Sequence, residues 1–416
     1  MRHRSSASGL VLLALLAAAC GDGPTGPGGD GTASVTACTS GTAAGFRCAG
    51  VDLVSVTTLA DMGAPPGTQL NDVWGWTDPA NGREYVLVGR TDGVTFLRLS
   101  NPNRPTVVGH LPSAEGASLW RDIKVYRNHA FIVADGIPGH GMQVFDLRRL
   151  RNAGDMETFA EDARYDNVGS VHNIAINEAT GFAYATGGGG IGISCGGGLH
   201  MIDVSAPTSP RFAGCFAEPA TGRKGTGYTH DVQCVLYTGP DTDYTGREIC
   251  LGSNETALSI ADVTDKGAPV SVSTATYPTV AYVHQGWLTE DQRYFLMNDE
   301  LDELQGLAPR SRMLVWDVAD LDDPILVAEH LGPVEATDHN VYVRGQVAFQ
   351  SNYHFGLRIV DVSMPTQPRE LGFFDTYPDD DAIGFGGSWS NYPFFDSRLI
   401  AVTSSDEGLF LLKRAP

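Results

Sequence analysis

Four histidines, His172, His230, His284 and His339, recur along the chain, each followed by an amide or carboxylate: Asn173, Asp231, Gln285 and Asn340. A neutral imidazole can ligate a divalent transition metal, or act as a general base when a neighbouring polar group orients it. Three related pairs complete the series: Asn71-Asp72, Arg121-Asp122 and Ser390-Asn391. Downstream of the pairs lie Asp92, Asp135, Asn254, Glu255, Asn298, Asp299, Glu300, Asn352, His354, Asp406 and Glu407. The candidate metal ligands are therefore His172, His230, Asp231, His284, Asp299, Glu300 and His339. Within them, His230 and His284 with Asp231, Asp299 and Glu300 form the preferred subset. Ligation of one ion by all four histidines is not expected, because successive strands stand apart. Mixed nitrogen and oxygen donors suit a transition metal, and oxygens alone would suit calcium. A competing reading applies to the second residue of each pair. A carboxylate or amide repeated in all seven units points to architecture, with Asp and Asn bonding nearby backbone N–H groups.

The elements that position these residues form a repeat. The pairs are spaced by 50 to 58 residues and open seven apolar strands. A second phase reads Gly-apolar-x-apolar-apolar-Asp, as in Gly141 to Asp146, Gly198 to Asp203 and Gly356 to Asp361. Ala257 to Asp262 and Arg312 to Asp317 are variants without the glycine. Capping of the following turn explains Asp146, Asp203, Asp262, Asp317 and Asp361. Each unit holds four short strands, in the third unit near 171–177, 181–186, 198–204 and 211–216. This pattern predicts an all-β, seven-bladed propeller of four-stranded blades. The last unit ends after its third strand, and the orphan segment Val51 to Leu59 supplies the missing one, removing an exposed edge. Trp74, Trp76, Trp120, Trp287 and Trp389 lie at or near the opening pairs. They suit packing between blades, with stacking on a sugar as the alternative.

The first residues read as an address. Residues 1–19 combine Arg2 and Arg4 with an apolar run too short to span a bilayer, a signal-peptide pattern. Leu16-Ala17-Ala18-Ala19-Cys20-Gly21 matches a lipobox, with Cys20 as the lipidated residue. Residues 20–34 are a Gly/Pro-rich tether, and 35–416 form the propeller domain. Six cysteines remain, Cys38, Cys48, Cys195, Cys215, Cys234 and Cys250, an even count that fits disulfides in an oxidising compartment. Pairing of sequence neighbours is the simplest of fifteen connectivities. A formal charge of −21 argues against nucleic acid as a partner.

Several segments together resemble LVIVD-repeat propellers, and among them the bacterial choice-of-anchor B family. They include Leu70-Asn71-Asp72-Val73-Trp74-Gly75, Ser170-Val171-His172-Asn173-Ile174, Gly198-Leu199-His200-Met201-Ile202-Asp203-Val204 and Tyr228-Thr229-His230-Asp231. His284-Gln285-Gly286-Trp287-Leu288-Thr289, Asn298-Asp299-Glu300-Leu301-Asp302-Glu303 and Ser388-Trp389-Ser390-Asn391-Tyr392 continue the match. The resemblance implies a propeller that is exported and anchored to the bacterial outer membrane or cell surface. It brings no activity. The expectation is a non-catalytic scaffold with a polar His/Asp-lined funnel, serving a surface protein, glycan or small ligand, with a divalent metal as the only candidate cofactor. The alternative is a metal-dependent hydrolase or lyase with its active site in that funnel.

Overall fold

The computed structural model describes residues 35–188 and 194–415. The expected signal peptide and the whole expected tether, with Cys20, lie outside the described residues. Seven antiparallel sheets follow one another along the chain, each with four strands in the order inner to outer. The third blade consists of Asn173–Asn177, Phe182–Thr186, Leu199–Asp203 and Arg211–Phe216, within a few residues of the expected limits. The seventh is Ser388–Tyr392, Ile400–Ser404 and Gly408–Arg414, completed by Val51–Thr57. The closing strand thus comes from the other end of the domain, as the orphan segment suggested.

Each blade is apolar on both faces because it is covered by a neighbour on both sides. In the first blade, Leu87 and Phe96 face the second blade, packed with Ile132 and Phe145. Val86, Val88 and Leu97 face the seventh, packed with Leu409 and Leu411. Seven such clusters fill the seven interfaces. The repeated glycine that opens the third strand has a steric origin. At Gly93, Gly141, Gly198, Gly356 and Gly408, a Cβ would sit 2.2 to 2.8 Å from an outer-strand carbonyl oxygen. The aspartates at the other end of that strand cap the turn as expected. Asp146, Asp203, Asp262, Asp317 and Asp361 each accept a hydrogen bond from the backbone N–H two residues on, at 2.9 or 3.0 Å.

Two blades carry strands beyond the expected four. The hairpin Thr42–Ala43 and Phe46–Ala49 extends the sixth blade, with Cys48 opposite Phe374. Glu157–Thr158 pairs in parallel with Thr106–Pro112 on the first. All three neighbour disulfides form: Cys38–Cys48, Cys195–Cys215 and Cys234–Cys250. The first staples the sixth-blade hairpin just before the chain enters the closing strand.

One buried contact gives the fold an acid-sensitive point. Arg121 Nη1 donates to His140 Nε2 at 2.9 Å, and His140 Nδ1 donates to the Gly141 carbonyl at 3.0 Å. Only the neutral ring can do both. Burial, then the Arg121 guanidinium, hold His140 down to about 4 from 6.5. Because the unfolded chain takes up this proton first, the contribution is complete above pH 6.5 and is lost as pH falls toward 4. The wild type should lose on the order of 2–3 kcal/mol more than His140→Gln between pH 7.5 and 4.5. Urea unfolding at both pH values checks this, and parallel losses in the two proteins would refute it.

Candidate functional site

The inner strands all begin at one face, so the opening pairs ring one mouth of the central channel. In five of the seven pairs the second residue reaches sideways to the next blade's backbone, whereas Asp231 accepts from the adjacent Val232 N–H and Asn391 donates back to the sixth blade. Asp72 accepts from the Ile123 N–H at 3.0 Å, and Asp122 from the Ile174 N–H at 2.6 Å. Asn173 donates to the His230 carbonyl, Gln285 spans both backbone groups of Val341, and Asn340 donates to the Trp389 carbonyl. These groups join adjacent blades, so the architectural reading holds for them, between blades rather than within a turn.

The histidines form a continuous arc. Ring centroids lie 4.4 Å apart for His172 and His230, 4.1 Å for His230 and His284, and 4.6 Å for His284 and His339. Distance between strands does not separate them, contrary to expectation. Ring orientation decides what they can hold. His230 Nδ1 donates to the His284 carbonyl at 2.8 Å, His284 Nδ1 to the His339 carbonyl at 3.2 Å, and His339 Nδ1 to the Trp389 carbonyl at 2.6 Å. A carbonyl can only accept, so Nδ1 carries the proton and Nε2 keeps its lone pair. His172 Nδ1 instead meets Asp135 Oδ2 at 3.0 Å.

Glu300 closes the arrangement. Its Oε2 lies 3.7 Å from His284 Nε2, and its Oε1 3.9 Å from His339 Nε2. One ligand atom from each of the three falls within 4.8 Å of the others. Tyr353 OH donates to Glu300 Oε1 at 2.6 Å and holds the carboxylate in place. Burial drives His284 and His339 down to about 3, helped by the other imidazoles, so both rings are neutral at pH 7. Burial also pushes His230 well down. Two oriented neutral imidazoles and a carboxylate have the donor chemistry of a zinc-type ligand set, with each imidazole fixed through its other nitrogen.

The candidate residues are thus only partly brought together. His284, His339 and Glu300 converge, and His230 stacks on His284. Asp299 does not join them, because it accepts from Tyr277 OH and the N–H groups of Ala281 and Tyr282. Asp231 points into the channel waist, where burial and Asp122 raise it to about 7. Lys124 fills that waist, bonded to Asp122 at 2.5 Å and 3.8 Å from Asp72. Above the waist the pocket bounded by the histidines has a volume of about 30 Å³, room for an ion and little water. Below it lies a hollow of about 450 Å³ bordered by Trp74, Trp287, Tyr342, Tyr392 and Phe394. Trp76, by contrast, packs between the first two blades. Tyr353 and the aromatic hollow were not foreseen. Tyr353 stands between two second-strand-end candidates, Asn352 and His354, which was an available signal.

Comparisons with known proteins agree with this architecture. Residues 193–217 and 339–376 match the LVIVD repeat, stretches of the third and sixth blades. Together with the seven sheets, they define the chain as a repeat β-propeller. Among solved structures, the chain is similar to the β-propeller domain of Cps50 (Swd1) from Myceliophteria_thermophila. That match has 13% identity and a TM-score of 0.52, over 80% of this chain and 94% of that one. It speaks for the fold alone. No curated protein matches the chain significantly.

Proposed function

We propose that this protein is an exported, lipid-anchored surface propeller of the choice-of-anchor B type. It acts as a non-catalytic binding scaffold with one divalent transition metal at its polar mouth. The observation that carries the metal is the pair of free Nε2 atoms on His284 and His339, converging on Glu300. Three disulfides support an oxidising compartment outside the cytoplasm. The lipobox ending at Cys20 supports the anchor. The small pocket bordered by His284 and His339 leaves no room for an organic substrate beside them. The aromatic hollow at the opposite end is large enough for a sugar ring or small apolar ligand.

The test is the metal content of full-length protein purified without chelator, beside the His284→Ala/His339→Ala double variant. About one zinc or similar ion per wild-type chain is expected, and none in a variant that keeps its β-sheet circular dichroism. A metal-free wild type after incubation with zinc would overturn the reading. The anchor is tested separately by Cys20→Ser, which should release the protein from membranes.

A further inference from the structure

Behind the histidine arc, three carboxylates meet in the protein interior. Asp302 and Glu303 follow the second strand of the fifth blade, and Asp338 precedes the inner strand of the sixth. Asp302 and Asp338 are fully buried, and Glu303 is 3% exposed. One oxygen from each lies within 4.8 Å of the others. Part of this charge is accounted for by the protein. Arg312 Nε donates to Asp302 Oδ2 at 2.7 Å, and the Arg312 backbone N–H donates to Asp338 Oδ2 at 2.9 Å. The remaining oxygens are Asp302 Oδ1, Asp338 Oδ1 and both oxygens of Glu303. None has a hydrogen-bond partner among the described residues.

Buried acceptors without donors are rare and unfavourable, and buried charges without partners more so. Three ionised carboxylates beside one guanidinium leave a net charge of about −2, which one divalent cation would neutralise. The donors are all hard oxygens. Their mutual separations, all within 4.8 Å, fall inside the span that two ligands of one ion can reach at Ca–O distances of about 2.3–2.6 Å. We propose that Asp302, Glu303 and Asp338 form a second, buried site for one calcium ion that ties the fifth blade to the sixth. The site is distinct from the histidine centre and does not depend on it. The competing state is a cluster that retains protons. Burial and the nearby Asp299 charge push Asp302 to about 6, and burial and the Asp302 charge push Glu303 to about 9, so a cation-free cluster would be partly protonated at neutral pH.

The sequence pattern agrees. In the other six units, the residue before the opening pair is Leu70, Trp120, Val171, Thr229, Val283 or Trp389, never an acid. Arg312 stands where most units have the third-strand glycine. Both departures from the repeat meet in this cluster. The same two segments carry Glu300 and His339, so the calcium would also fix the backbone behind the mouth.

Full-length protein stripped with chelator and returned to chelator-free buffer is titrated with CaCl2 in a calorimeter. Its thermal unfolding is followed with no additive, with millimolar CaCl2 and with millimolar MgCl2. One calcium per chain and a rise in Tm of about 3 °C or more are expected, with a smaller rise in magnesium. Glu303→Gln keeps the side-chain volume, removes one charge and should abolish the calcium response. Asp338→Asn serves as the second variant and should weaken binding at least tenfold. His284→Ala should retain the full calcium shift. Absence of calcium binding by the wild type would overturn the site. So would an unchanged response in both carboxylate variants, an equal magnesium shift, or loss of the response in His284→Ala.

Discussion

Glu248→Ala should destabilise the domain by about 3–5 kcal/mol, the range for removing one partner of a buried ion pair. Glu248 opens the second strand of the fourth blade and is 3% exposed. Lys266 Nζ donates to its Oε2 at 2.7 Å. From the third blade, Asn177 donates at 2.8 Å and Thr180 at 2.6 Å, and the Tyr184 hydroxyl also bonds to it. Removing the carboxylate strands three donors and a buried ammonium. Among the described residues, that ammonium keeps the Val263 carbonyl and the face of Phe182. The double variant Glu248→Ala/Lys266→Met should recover much of the loss, because the stranded charge is gone. Urea unfolding of the two variants decides the point. A loss below about 1 kcal/mol in the single variant would show that this network does not hold the two blades together.

A chain beginning at residue 59 should fail to give a cooperative, monomeric domain. Val51, Leu53 and Val54 are buried between the sixth, seventh and first blades. Without them, Gly408–Arg414 becomes an open edge whose Leu409, Phe410, Leu411 and Leu412 are fully buried in the intact protein. Open apolar edges pair with other chains. Gel filtration should therefore show aggregates, and melting should lose its single transition. Leu53→Asp is the milder form, placing a charge in the same interface, and should cost several kcal/mol. A monomeric, cooperatively melting truncation would mean that the first three strands of the last blade suffice.

These two effects differ in how far they could be read in advance. The closing strand was legible because a repeat of four strands ending after its third demands a donor, and Val51 to Leu59 lay unassigned. The blade count was legible because the paired polar residues and the glycine-led strands recur independently. The turn-capping aspartates were legible because an Asp before a turn has one local partner. The Glu248 network was not, because its partners come from residues 177 to 266 and meet only when blades pack. The site shows the same division. That the histidines share one mouth followed from their phase in the repeat. Which of them face a carboxylate depends on ring rotation, set by a carbonyl in the next blade. Asp299 and Glu300 are neighbours in sequence, yet one turns to Tyr277 and the other to the imidazoles. The extra strands at residues 42–49 and 157–158 follow no repeat phase and had no signal.

The donors that orient the histidine arc have a spectroscopic consequence. The Nδ1 protons of His230, His284 and His339 each reach across to the backbone of the following blade. Such ring protons, deshielded by their hydrogen bonds and buried from water, resonate downfield of the amide envelope and exchange slowly with solvent. Three proton signals should therefore act as a gauge of blade spacing around one side of the channel. They would persist while the ring of blades stays shut and broaden in order as individual interfaces loosen, before any sheet is lost.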